Sequence, residues 1–205
     1  QQLIDFLGIV ASGRCAAVCD AEWPDTVQRS VRESFDAQPY TAPEPTPQTN
    51  FYVGFTSGST GLPKGFQRHH QSWVESLAIC VRTFGEAAAQ RVLAPGRVSH
   101  SLFLFGMMLG LYSGGGVVVQ EKFSAPQTFQ TLQQGLASCL VAVPSQLLLL
   151  LEVARRKHIA PITATQLILI SGARWMRQRT PELQALFPNA RIVEFYGASE
   201  TSFMA

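Results

Sequence analysis

An α/β fold, with mostly parallel sheets flanked by helices, is what this sequence predicts, on three observations. First, short apolar runs recur without polar alternation: Phe51 to Phe55, Val117 to Val119, Cys139 to Val143, Leu167 to Ile170 and Ile192 to Phe195. A strand buried on both faces has no solvated side, so it reads as a continuous run. Second, segments of helical spacing separate these runs, the pattern of strand–helix–strand units. Third, 46% of the residues are hydrophobic and only 15% charged, more apolar than an average soluble domain.

Each element follows in order. Leu3, Phe6, Leu7 and Val10 recur at helical spacing, and Gly13 stops that helix. Ala16 to Val18 is a short strand, Asp20 to Pro24 a turn, and Thr26 to Phe35 a second amphipathic helix. Residues 1–38 form a partial N-terminal α/β segment. Residues 39–50 carry Pro39, Pro43, Pro45 and Pro47 with few apolar positions, and read as a surface linker. Residues 51–205 form the core. Trp73, Leu77, Cys80, Val81 and Phe84 mark a helix that starts near His70, with His69 and His70 as its solvated beginning. Val98 to Gln120 lacks formal charge, and Ser101 to Val119 is long enough to span a bilayer, but Gly106, Gly110, Ser113 and Gly114-Gly115-Gly116 divide it into a buried helix and a strand. Thr128 to Leu136 and Pro144 to Lys157 are helices, the second ending in Arg155-Arg156-Lys157, where cations are favoured. Thr180-Pro181-Glu182 starts another, with a hydroxyl cap and proline at the first position. Ile192 to Phe195 is the last strand.

One stretch concentrates chemistry: Thr56-Ser57-Gly58-Ser59-Thr60-Gly61-Leu62-Pro63-Lys64-Gly65. Glycines let the backbone approach a ligand closely. Successive N–H groups in such a turn make an anion site, the hydroxyls add donors, and Lys64 adds a mobile charge. The composition suits a polyphosphate. It is not a Walker loop, which needs a Gly-Lys-Ser/Thr triplet; here Pro63 precedes Lys64 and Gly65 follows it. A hairpin turn or flexible linker is the plainer alternative. Two further loops, Ser171-Gly172-Ala173 and Tyr196-Gly197-Ala198-Ser199-Glu200, fall at carboxyl ends of strands, where parallel sheets gather ligands.

These three segments resemble, in the same order, the signatures of the adenylate-forming superfamily, which includes acyl-CoA synthetases. The resemblance spans essentially the whole chain and implies a partial N-terminal domain of an acyl-CoA synthetase-like fold, without the C-terminal domain that bears the family's adenylation lysine. It implies ATP-dependent activation of a carboxylic acid, fatty or aryl, to an acyl-adenylate, then thioester formation with coenzyme A. By that analogy Thr56, Ser57, Gly58, Ser59, Thr60, Gly61 and Lys64 hold the phosphates, and Gly172 and Ala173 pass flat beside adenine. Tyr196 stacks on adenine with Gly197 and Ala198 beside it, Ser199 contacts the α-phosphate, and Glu200 holds Mg²⁺. Lys64, Ser199 and Glu200 are the catalytic candidates. Ser199 stands where the family has threonine.

Leu102 to Leu109 resembles the acyl-pocket segment, implicating Phe103, Phe105 and Gly106 beside Gly172. Phe103 occupies a position where many acyl-CoA synthetases carry histidine. No Asp or Glu occurs from Val98 to Gln120; a buried ammonium without a carboxylate is costly, so the expected acid lacks an α-amino group. An adenylation domain that loads a carrier protein, and a non-catalytic nucleotide-binding homologue, stay open. Residues 1–205 alone are expected to bind nucleotide weakly and not to turn over.

Composition narrows the partners. A net charge of +2, with no basic cluster interleaved with aromatics, argues against nucleic acid. Cys15, Cys19, Cys80 and Cys139 lack zinc-site spacing. The apolar contexts of Cys80 and Cys139 suggest buried thiols in a reducing compartment, and Gln1 to Val10 lacks the basic head of a signal peptide. The expected location is cytoplasmic, with no membrane span.

Overall fold

The structure, a computed structural model, describes residues 1–35, 44–56 and 63–204. They form two compact units, Gln1–Glu75 and Ser76–Ala205.

The first unit contains α1 (Gln2–Ala11), β1 (Ala16–Ala17), α2 (Asp25–Glu33), β2 (Asn50–Thr56), β3 (Lys64–His69) and the start of α3 (His70–Phe84). Its three-stranded sheet has the order β1-β2-β3, with β1 parallel and β3 antiparallel to β2. Its core is aromatic. Phe6 meets Phe51 and Tyr52 edge-on at 6.2 and 6.0 Å, and Trp73 meets both at 5.5 Å. Gly54 lies where a Cβ would overlap the Tyr52 hydroxyl and the Phe66 ring. Only a residue without a side chain lets those two rings meet across the hairpin.

The expectation of strand, loop and then helix is corrected here. β3 intervenes, Lys64 and Gly65 are its first residues, and Lys64 pairs with Thr56. The phosphate-loop sequence therefore connects two antiparallel strands. β3 escapes the apolar-run pattern because Lys64, Gln67 and Arg68 give it a polar, largely solvated edge.

The second unit holds β4 (Val92–Pro95), α4 (Ser101–Tyr112), β5 (Val117–Gln120), α5 (Ala125–Gln133), β6 (Cys139–Ala142), α6 (Pro144–Lys157), β7 (Leu167–Ile170), α7 (Thr180–Leu186), β8 (Arg191–Glu194), β9 (Tyr196–Ala198) and β10 (Ser202–Met204). Five strands form a wholly parallel sheet of order β5-β4-β6-β7-β8. Residues of β4, β6 and β7 are fully buried, which explains their unbroken apolar runs.

Successive side chains alternate between faces. Leu93, Leu140, Ala142, Ile168 and Ile170 face one core, built with Phe129, Leu147, Leu150 and Leu183. Val92, Ala94 and Val141 meet α4 on the other. Gly106 and Gly110, one turn apart, bring that helix close. A Cβ on Gly106 would stand 2.9 Å from Val141, and one on Gly110 would run into the Gly116 carbonyl.

Two terminal expectations also change. Ile192–Phe195 is not the last strand, because β9 and β10 follow it as an antiparallel pair. Thr180 does not cap α7; its hydroxyl accepts the Trp175 indole N–H at 2.9 Å, and Arg179 precedes the helix. Among the described residues no helix is long and apolar enough to cross a membrane.

Candidate active site

Strand order reverses between β4 and β6, the place where parallel sheets open a crevice at their carboxyl ends. Here a side chain closes it. Buried Gln146, in the first turn of α6, donates to the Pro95 carbonyl at 2.8 Å and accepts from the Val143 N–H at 3.2 Å. The ends of β4 and β6 are thereby tied together. Val143 itself has no polar side chain, so the helix start depends on Gln146.

The open cleft lies farther along, beyond the carboxyl ends of β7 and β8. It encloses about 550 Å³ between residues Ser171 to Arg174 and Glu194 to Gly197, with Arg177 at its margin. That volume suits a small organic ligand, for which pockets of roughly 300–1,000 Å³ are usual. Gly172 has φ +85°, a conformation that favours glycine, and a Cβ built on it would stand 3.0 Å from Val143, leaving little room for a side chain. At Gly172 the turn therefore presents backbone rather than a side chain to the cleft. Tyr196 stands 71% exposed opposite it. An exposed amphipathic ring of this kind can offer a face for stacking.

The turn is held from behind. Trp175, 3% exposed, donates its backbone N–H to Glu194 at 2.8 Å and its indole N–H to Thr180. Arg177 lies 3.9 Å from the same carboxylate. Glu194 thus links the end of β8 to the segment after β7. Arg174, Arg177, Glu194 and Gln146 were not among the sequence candidates. The available signal was a charged residue at the end of an apolar strand, as at Val193-Glu194.

Several predicted residues do come together. Ser199 Oγ lies 2.7 Å from Ser101 Oγ at the first residue of α4. The next residue, Leu102, is about a van der Waals contact from Gly172, with 3.8 Å to a Cβ built there. The start of α4, the Gly172 turn and the segment after β8 therefore meet at one place. Phe103 is buried under Gly96 and edge-on to His100 at 6.2 Å, Phe105 is buried, and Gly106 faces the sheet. Glu200 is exposed in the turn between β9 and β10.

Other predicted residues belong to the first unit or lie outside the described residues. Lys64 and Thr56 pair across β2 and β3 in the first unit. Ser57, Gly58, Ser59, Thr60 and Gly61, like the linker prolines Pro39 and Pro43, lie outside the described residues. The expected solvated helix start is corrected in part: His70 begins α3 but His69 ends β3, and both are half-buried, the His69 ring accepting the Ser72 N–H at 3.3 Å and His70 stacking on Phe51 at 4.9 Å. Burial and the neighbouring His69 push the His70 imidazole pKa down. Cys80 and Cys139 are buried free thiols, each pushed up to about 12 by desolvation. No cluster of three metal-type side chains exists among the described residues.

Comparison with known proteins shows the family and the fold. The sequence model described as AMP-binding enzyme matches residues 2–205. An uncharacterized acyl–CoA ligase, YhfT of Bacillus subtilis (strain 168), is 37% identical over 164 residues, covering 79% of this chain and 33% of YhfT. The VraA protein of Staphylococcus epidermidis is 32% identical over 220 residues, covering the whole chain and 47% of VraA. The chain thus spans a third to a half of the length of these curated relatives. A malonyl-CoA ligase, solved as a ternary product complex with methylmalonyl-CoA and AMP, superposes with a TM-score of 0.83 over 98% of this chain and 50% of its own, at 18% identity. That likeness establishes a shared fold. Matched along nearly its whole length, this chain belongs to the AMP-binding enzyme family.

Proposed function

We propose that this chain is the nucleotide-binding part of an enzyme that activates a carboxylic acid with ATP and passes the acyl group to coenzyme A. The observation that carries the reading is the cleft between Gly172-Ala173 and Tyr196-Gly197, with the Ser199 hydroxyl beside the start of α4. In the proposed reaction a carboxylate oxygen attacks the α-phosphorus of ATP. The bond to the bridging oxygen breaks and pyrophosphate leaves; a thiolate then attacks the acyl carbon and AMP departs. Little covalent work falls to the protein, so positioning and charge neutralisation dominate.

Adenine is assigned to the space between the Gly172-Ala173 backbone and the Tyr196 ring, with Gly197 and Ala198 beside it, and Ser199 to the α-phosphate. Lys64, with Thr56 and the glycine- and hydroxyl-rich sequence after it, is assigned to the leaving pyrophosphate. Glu200 offers one exposed carboxylate, a donor set that fits Mg²⁺, which binds through one or two carboxylates plus substrate phosphates. When bound there, Mg²⁺ would neutralise charge on the phosphates.

The acid is assigned to the first turn of α4, where Leu102 reaches Gly172; Phe103 and Phe105 shape that wall from within, and Gly106 sets the distance of the helix from the sheet. The absence of Asp and Glu from Val98 to Gln120 favours an acid without an α-amino group. Glu194, the carboxylate in the cleft, is already engaged by Trp175 and Arg177.

Acid-dependent ATP–pyrophosphate exchange tests the reading. Fatty, aryl and amino acids are presented to this chain and to the longest polypeptide its reading frame encodes. The expected result is exchange by the longer polypeptide with fatty or aryl acids. Exchange with amino acids alone would point to carrier-protein loading, and silence with ATP still bound would overturn catalysis.

A further inference from the structure

We propose that Ser101 is a positioning residue for Ser199, a dependence created by having serine rather than threonine at position 199. The inference rests on the functional reading above. The two hydroxyl oxygens are 2.7 Å apart, and both residues are half-buried. A serine hydroxyl has one proton to donate and two lone pairs to accept with. If Ser199 is to donate its proton to a phosphate oxygen, it cannot also donate to Ser101. In that state Ser101 must be the donor, giving a chain from the Ser101 hydroxyl to Ser199 Oγ, and from the Ser199 hydroxyl to phosphate. Hydrogen bonds in such a chain polarise one another and strengthen the terminal donor.

The partner also supplies order. Threonine is stiff at χ1 because Cβ carries two heavy atoms, whereas serine has three staggered wells open to it. Ser199 lacks the methyl group that would hold its hydroxyl in one well, and the Ser101 bond selects one instead. Ser101 is itself anchored as the first residue of twelve-residue α4, while the His100 carbonyl accepts the Phe103 and Leu104 N–H groups at 3.0 and 3.1 Å. The rigid helix thus sets the rotamer of a residue on a surface segment.

The coupling has a signature that a purely structural serine would not show. In the longest polypeptide of this reading frame, Ser101→Ala is expected to lower kcat of pyrophosphate exchange about five- to tenfold, the scale of one lost hydrogen bond. KM for the acid and the thermal midpoint should be unchanged. Ser199→Thr carries its own change in rate, and measured against that single variant the further loss on adding S101A should be about twofold or less, because the methyl now holds the rotamer. AMP affinity, measured by calorimetry on the same four proteins, should follow the same pattern. Wild-type rates and AMP affinity in S101A, or an S101A loss as large in the Ser199→Thr background as in wild type, would overturn the proposal. A wild-type protein that neither exchanges nor binds AMP would overturn the functional reading with it. Normal wild-type exchange with an indifferent S101A would remove the Ser101 inference alone.

Discussion

The two compact units cover their sheets with different chemistry. In Gln1–Glu75 the core is a ring cluster of Phe6, Phe51, Tyr52 and Trp73 around an antiparallel hairpin. In Ser76–Ala205 it is mostly aliphatic, with single rings such as Phe129 and Phe187 among Leu, Ile and Val, laid in two layers on a parallel sheet whose central strands have no exposed side. Large rings fill space with few residues, but their polar tips still need partners. Tyr52 shows the consequence: its hydroxyl is buried without a hydrogen-bond partner among the described residues. Aliphatic layers carry no such burden, but their strands must be covered on both faces. By this contrast the second unit depends on volume and the first on ring geometry.

Alkaline titration should give the largest effect, beginning in the second unit from pH 9.0, because in the first unit it is the Tyr52 hydroxyl, ordinarily titrating at 10.0, that burial raises. Cys80 and Cys139 are raised from 9.0 to about 12 by burial, and every tenfold fall in thiol acidity corresponds to about 1.4 kcal/mol. The protonated thiol is the form that the fold holds. Their contribution is therefore complete below pH 9.0 and is lost as pH rises towards 12. Denaturant midpoints measured across that window should fall, and C80A/C139A should flatten the fall. If the double variant falls as steeply as wild type, the thiols are not what limits the second unit.

Volume loss comes next. Leu140→Ala, at a fully buried position between the layers, should cost about 2–5 kcal/mol by equilibrium unfolding. Gln146→Leu removes the tie between Pro95 and Val143, and should cost about 1–3 kcal/mol through two buried groups left unsatisfied. A neutral Q146L would mean that the ends of β4 and β6 hold their positions without it.

Geometry is the test for the first unit. Gly54→Ala adds one methyl between the Tyr52 hydroxyl and the Phe66 ring, and should cost about 1–3 kcal/mol. The smallest effect should come from Tyr52→Phe. Removing an unpartnered hydroxyl should leave stability at neutral pH within about 1 kcal/mol of wild type or raise it. A large loss in Y52F would show that this hydroxyl has a partner, and would weaken the contrast between the units.

The same contrast explains what can be read from the residues alone. Cys139–Ala142 and Leu167–Ile170 are plain in the sequence because strands covered on both faces leave no polar positions. β3 is not, since Lys64 and Arg68 on an edge look like loop. β4 is hidden because it is four residues long and ends in proline, which resembles a turn. The Tyr196-Gly197-Ala198-Ser199-Glu200 segment is legible as a motif, yet not as the strand β9 with β10 beside it.

Local sequence determined the class of fold, the buried helix over Ser101–Tyr112, the two buried thiols and the motif residues, because periodicity, burial and backbone freedom are properties of neighbouring residues. Only tertiary structure decided that Ser101 meets Ser199 across 98 positions, that Gln146 closes the crevice at the sheet's reversal, and that Glu194 pins Trp175. Each of these joins residues at the ends of, or in the segments that follow, different strands of the parallel sheet. A hydrogen bond between residues far apart in the chain leaves no period or spacing to read, so their partnership exists only once the sheet has formed.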